Sequence, residues 1–187
     1  MGATLLAIPG NGRALICTLE PLVKSSEQEF DQFFLANYDD VVNALTLITG
    51  DRDRATDAAQ EAFVKAYAKW SKICSYDLPS AWVRRIAINI SRDSHRSERR
   101  RRRRELPHRE SDAVSPAEQI VGDDAARRLL GGLPPRQREV ATLFYVDDRG
   151  VADIAAILGL SEGTVKSHLA DARDGMRASF DRDGAER

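Results

Sequence analysis

Apolar residues between Phe30 and Ile48 recur at three- and four-residue steps: Phe30, Phe33, Phe34, Tyr38, Val41, Val42, Leu45 and Ile48. That period predicts an amphipathic helix of about five turns, closed by Gly50. Asp51 to Arg54 form a polar turn, after which Ala58, Ala59, Ala62, Phe63, Ala66 and Tyr67 continue a helical stripe over 55–70. Asp77-Leu78-Pro79-Ser80 breaks the chain before a third long helix, whose buried stripe is Trp82, Val83, Ile86, Ala87 and Ile90. Arg84, Arg85, Asn89, Arg92, Asp93 and Arg96 are assigned to its exposed side, and the helix is free to run into the tract Arg99–Arg104.

Between Leu106 and Pro116 the composition turns to Pro, His, Ser, Asp and Glu, which reads as a linker. Helical patterning resumes at 125–130 and again after Leu133-Pro134-Pro135, where Pro135 suits a first turn that needs no N–H. Val140, Leu143 and Phe144 then face inward. The stretch GVADIAAILGLSEGTVKSHLADAR, 150–173, has the build of a helix-turn-helix. Ile154, Ala155, Ile157 and Leu158 give a first short helix its apolar face. Gly159 supplies the left-handed turn, and Ser161 caps a second helix with Val165 and Leu169 inside. Short polar and cationic side chains on its other faces suit a major groove.

No segment alternates long enough for a sheet. The expected fold is all-α: two small helical domains joined by a flexible basic linker, the second a helix-turn-helix domain. The boundaries are a flexible extension over 1–26, a first domain over 27–98, a linker over 99–121, a second domain over 122–181 and a tail over 182–187.

Charge sharpens this picture. The net charge is only −1, but it is unevenly spread. Arg84 to Arg109 holds eleven arginines against three acidic residues, and Glu27 to Lys69 holds nine acidic residues against four basic ones. Such a dipolar chain offers one surface to phosphates and another to a protein partner. Cys17, Cys74 and the scattered His95, His108 and His168 lack ligand spacing, so neither metal nor cofactor is expected. No apolar run approaches the roughly 20 residues of a membrane span. Met1 to Leu22 does not read as a secretion signal, and the expected site of action is the cytoplasm.

Three stretches, in order, resemble the extracytoplasmic-function group of the bacterial sigma-70 family. DRATDAAQEAFVKAYAKW resembles the helix that clasps the β′ clamp helices of core RNA polymerase, which implies Asp57, Gln60, Glu61 and Phe63 as polymerase-binding residues. SAWVRRIAINISRDSHR resembles the helix that reads the minus-ten element, implying Arg85, Asn89, Arg92 and Arg96. Asn89 can bond bidentately to a base edge and the arginines can meet phosphates. The preceding loop would capture a flipped base, with Tyr76 or Ile73 lining the pocket and Ser75 or Asp77 reading the base. The stretch from Leu133 to Arg173 resembles the domain that reads the minus-thirty-five element, implying Thr164, Lys166, Ser167, His168 and Arg173. His168 and Asp171 stand where the family commonly has arginines, and Gly150 where it has a Ser or Thr cap.

The resemblance implies an alternative sigma factor that binds core polymerase and promoter DNA, touches the β-subunit flap, and is held by an anti-sigma partner. The tract Arg99–Arg104 reads equally as a basic run, a phosphate contact or a segment directed towards the RNA exit path. The chief alternative function is a response-regulator-type helix-turn-helix that binds DNA unaided. The absence of βαβ alternation disfavours it. An enzyme is least expected, because no phosphate loop, metal spacing or nucleophile motif is present.

Overall fold

The computed structural model describes residues 16–105 and 124–185, and among them every regular element is helical. In order they are α1 (Ile16–Thr49), α2 (Arg52–Tyr67), α3 (Trp70–Ile73), α4 (Pro79–Glu105), α5 (Asp124–Gly131), α6 (Pro135–Tyr145), α7 (Val151–Leu158) and α8 (Glu162–Ala185). Residues 106–123, which hold most of the linker expected over 99–121, lie outside the described residues, as do 1–15 and 186–187.

Helices α1, α2 and α4 pack side by side as the first domain. Gly50, at φ 74°, turns α1 into α2, and Asp51 caps α2 by accepting from the Arg54 backbone N–H at 3.1 Å. The inward face of α2 is almost entirely alanine, with Ala55, Ala59, Ala62 and Ala66 fully buried. Small side chains let its neighbours approach closely. At one end the packing is aromatic: Phe63 lies 5.0 Å from Phe34 and 5.6 Å from Tyr38, and Phe30 meets Trp70 edge-on at 5.3 Å.

Three boundaries differ from the sequence expectation. Helix α1 begins at Ile16, inside the extension expected to be flexible. Helix α4 continues through the arginine tract to Glu105, so that tract is helix rather than linker, and α8 runs into the expected tail as far as Ala185. A helix nucleated by packing adds one hydrogen bond per residue fixed, and in the α4 tract arginine is in addition a good helix former. The short α3 was also not foreseen; Trp70 and Ile73 bury it.

Helices α6, α7 and α8 form the second domain, with α5 packed against α6 and α8. Pro135 opens α6, and Gly159, at φ 67°, ends α7 as expected. Ser161 Oγ accepts from the Thr164 N–H at 3.1 Å and caps α8.

The two domains are packed on each other. Helix α1 meets α5 and α6, and α4 meets α7. One apolar core therefore runs from Val83 and Ile88 on α4 to Ile154 and Leu158 on α7.

Candidate polymerase and promoter interfaces

On α2 the inward alanine face forces Asp57, Gln60 and Glu61 outward, and all three are exposed. Glu61 also accepts from Lys65 Nζ at 2.7 Å, one turn along. Together they make an acidic, hydrogen-bonding ridge. Phe63 does not belong to it. It is buried in the aromatic cluster and cannot touch a partner, because the apolar stripe of α2 turns it towards α1.

Ser75 and Tyr76 are exposed in the loop before α4, as is Asp77. Ile73 is buried and is no candidate for a base pocket. Ser75 Oγ donates to the Lys72 carbonyl at 2.8 Å, which holds the loop in a turn.

Helix α4 presents three faces. Val83 and Ala87 enter the first-domain core, while Arg85, Asn89, Asp93 and Arg96 are exposed to solvent. A third face, Arg84, Ile88 and Arg92, turns to the second domain. Arg84 was expected at the surface; instead its side chain is 2% exposed. Its Nε and Nη2 donate to the two carboxylate oxygens of Asp147, at 2.5 and 2.6 Å. Arg92, assigned to the minus-ten contact, donates from Nε to Glu139 Oε1 at 2.8 Å and from Nη2 to Oε2 at 2.5 Å. In this conformation its guanidinium is committed to the second domain. Asn89 Oδ1 lies 3.4 Å from Arg92 Nη1, leaving the outer edge of the amide to solvent.

On α8 the apolar residues Val165, Leu169 and Ala172 are buried, which sets Thr164, Lys166, Ser167 and Arg173 outward. Lys166 is held only loosely by Glu162, at 4.0 Å, and Arg173 Nε donates to the Leu169 carbonyl at 3.2 Å. His168 is half-buried, and its Nδ1 has no hydrogen-bond partner. It therefore stands at the edge of this face.

Behind α8, Arg138 on α6 donates to the carbonyls of Leu130, Gly131 and Leu133 at 3.0, 2.5 and 3.1 Å. It caps the end of α5 and fixes the turn into α6. Desolvation by burial lowers the pKa of this guanidinium from the ordinary arginine value. Sequence reading gave this residue no role, because its partners are backbone oxygens.

Among the described residues there is no cluster of three or more His, Cys, Asp or Glu able to hold a metal ion. No described helix is long and apolar enough to cross a membrane.

Among the described residues, each of the two helical domains thus exposes a polar helix face, on α4 and on α8. Comparison with known proteins gives the family. Residues 33–101 match sigma-70 region 2, and residues 123–174 match sigma-70 region 4. The chain is 31% identical over 145 residues to the RNA polymerase sigma-E factor of Streptomyces coelicolor, covering 75% of this chain and 80% of that one. It is 31% identical over 156 residues to the ECF RNA polymerase sigma factor SigM of Mycobacterium tuberculosis, covering 81% and 76%. A probable RNA polymerase sigma factor of Xanthomonas campestris, RfaY, is 30% identical, but this chain spans only 40% of its length. Among solved structures, the sigma factor RpoE of Bartonella quintana, crystallised with the anti-sigma factor NepR, superposes with a TM-score of 0.62 at 28% identity. That match covers 82% of this chain and 98% of the other. The chain belongs to the sigma-70 family, in its extracytoplasmic-function group, and is an alternative sigma factor that directs transcription initiation with RNA polymerase.

Proposed function

We propose that the surfaces described above divide the work of initiation between them. Asp57, Gln60 and Glu61 dock on the β′ clamp helices of core polymerase, where an acidic ridge meets a basic helical hairpin. Asn89, with Arg85, Arg92 and Arg96, reads and holds the minus-ten element, and Ser75 and Tyr76 receive a base flipped from the opened strand. Thr164, Lys166, Ser167 and Arg173 face the minus-thirty-five element, with His168 at the rim. The second domain also meets the β flap. Polymerase performs the chemistry, in the cytoplasm, and this chain supplies the specificity. An anti-sigma protein covers these surfaces, as NepR is bound to the Bartonella relative.

The observation that carries this reading is the outward placement of Asn89 on α4 and Lys166 on α8, while the apolar residues beside them are buried. Each contact set is small, so useful affinity requires both domains to be joined through polymerase. The test is transcription in vitro from fragmented host DNA with sigma-free core polymerase. Discrete start sites that share two upstream elements and require this protein are expected. If no start sites form while the protein alone shifts specific DNA, the unaided-regulator reading replaces this one.

A further inference from the structure

The last ten residues of α4, Arg96 to Glu105, carry seven arginines and two glutamates. Like charges one turn apart oppose a helix, so this end of α4 needs a hold on the rest of the fold. The hold is a charge relay from α2. Arg54 Nε lies 3.0 Å from Asp51 Oδ2, and Arg54 Nη2 reaches Glu98 Oε2 at 2.5 Å. Glu98 follows Asn89 by nine residues, which sets it half a turn around the helix from that amide. The relay therefore grips the back of α4, the side on which Val83 and Ala87 enter the core.

The front of the helix is different. Arg85, Asn89, Arg96 and Arg100 follow one another by four, seven and four residues, which keeps them within about 60° on one stripe. All four are exposed, and exposed Arg99 flanks them; Asp93 also lies in the stripe and offsets one of these charges. Arg96, Arg99 and Arg100 have no hydrogen bond or ion pair among the described residues. Uncompensated positive charge thus continues the face that carries Asn89, away from the relay. The two ends of the rod carry different chemistry. The loop with Ser75 and Tyr76 leads into its first turn, whereas Arg99 stands twenty residues beyond Pro79, about 30 Å along the axis.

We infer that the arginine end of α4 is a clamp for the phosphate backbone of the paired DNA upstream of the minus-ten element. The inference rests on the minus-ten reading proposed above. With Ser75 and Tyr76 at the opened strand, the opposite end of the same rod faces the side where the strands are still paired. Guanidiniums bond phosphate oxygens in pairs whatever the base sequence. Paired DNA carries one charge per about 1.7 Å of axis against about 3.4 Å for one strand, so the same arginines gain more on the duplex. The clamp adds affinity without sequence preference and leaves the reading to Asn89 and the loop before α4.

The test compares the wild type with Arg99→Gln/Arg100→Gln, which keeps good helix formers and removes two charges. Each full chain is joined to core polymerase, and its affinity for a promoter recovered by the transcription assay above is followed from about 50 to 200 mM salt. Loss of two phosphate contacts lowers the slope of log affinity against log salt by about 1.8, so over that range the wild type should lose about tenfold more affinity than the variant. On a template trimmed so that no paired DNA remains upstream of the minus-ten element, the two proteins should coincide. Their affinities for polymerase without DNA should also be equal. An unchanged slope on the full template overturns the clamp. So does an equal loss on the trimmed template, or weaker polymerase binding, since the arginines would then serve the opened strand or polymerase itself. If no promoter is recovered, the minus-ten reading fails, and the free chains on a random-sequence duplex still decide the clamp. There a slope lowered by about 1.8 supports it and an unchanged slope overturns it.

Discussion

Gly175 on α8 lies directly against Leu133, so that a Cβ at this position would sit 2.8 Å from the Leu133 Cδ2 methyl. The missing side chain lets α8 cross close to the turn that opens α6, and Leu133 is itself buried. Gly163, near the start of the same helix, has only Ser161 Oγ near such a Cβ, at 3.8 Å. Alanine should therefore act oppositely at the two sites. Gly163→Ala is expected to gain up to about 1 kcal/mol from helix propensity. Gly175→Ala gains the same propensity but must displace a buried leucine, which costs about 1–3 kcal/mol, so a net loss is expected. Thermal unfolding of the two variants checks the sign of each.

Arg138→Met should destabilise the second domain by about 2–3 kcal/mol, because three carbonyls lose a charged donor at one stroke. Arg138→Lys should recover little of this. A single ammonium cannot reproduce a planar fork that reaches Leu130, Gly131 and Leu133 together. Urea unfolding of both variants decides; a fully stable lysine variant would refute the fork.

Ser161→Ala removes the acceptor for the Thr164 N–H and the hydroxyl that pairs with Thr164 Oγ1 at 2.8 Å. A loss of about 1 kcal/mol is expected. Ser161→Asp should retain most of the stability, since a carboxylate also caps a helix and complements its dipole. Promoter activity gives a second readout, because the added charge would oppose DNA at the α8 face.

Gln60→Ala with Glu61→Ala should weaken polymerase binding and leave stability nearly unchanged. Both residues are exposed, and a surface pair such as Glu61–Lys65 contributes only about 0.5 kcal/mol. Lys166→Ala with Arg173→Ala should do the reverse in function, sparing polymerase binding while lowering promoter-directed transcription. Measured side by side, the two variants separate the polymerase-facing and DNA-facing surfaces; exchanged phenotypes would refute both assignments.

The residues most legible in the sequence were those whose role is set within one or two turns. Gly159 ends α7, Ser161 caps α8 and Pro135 opens α6, each because its own backbone chemistry decides the matter. The α2 ridge and, on α4, the outward placement of Arg85, Asn89, Asp93 and Arg96 could be read from period. The misreadings concern distant partners. Arg84 looks like a surface arginine on any helical projection, because Asp147 stands 63 positions away. Ile88 falls outside the first-domain stripe, and only the second domain gives it a reason to be buried. Phe63 sits in a stretch that resembles a binding helix, but its ring completes a cluster with Phe34 and Tyr38. Periodicity sees one face towards one core, whereas α4 has two cores to serve.

The unbroken course of α4 from Pro79 to Glu105 would make it a ruler as well as the recognition element proposed for it. At 1.5 Å per residue the backbone at Arg99 stands about 15 Å beyond Asn89 on the same rod. That is nearly half a turn of B-DNA, whose repeat is about 34 Å. A base held by Asn89 would thus fix the register at which the arginine tract arrives, with no joint between them to absorb an error. Spacing would become part of what is recognised, and a helix-breaking residue placed between Asn89 and Arg99 would blur that spacing while leaving every contacting side chain in place.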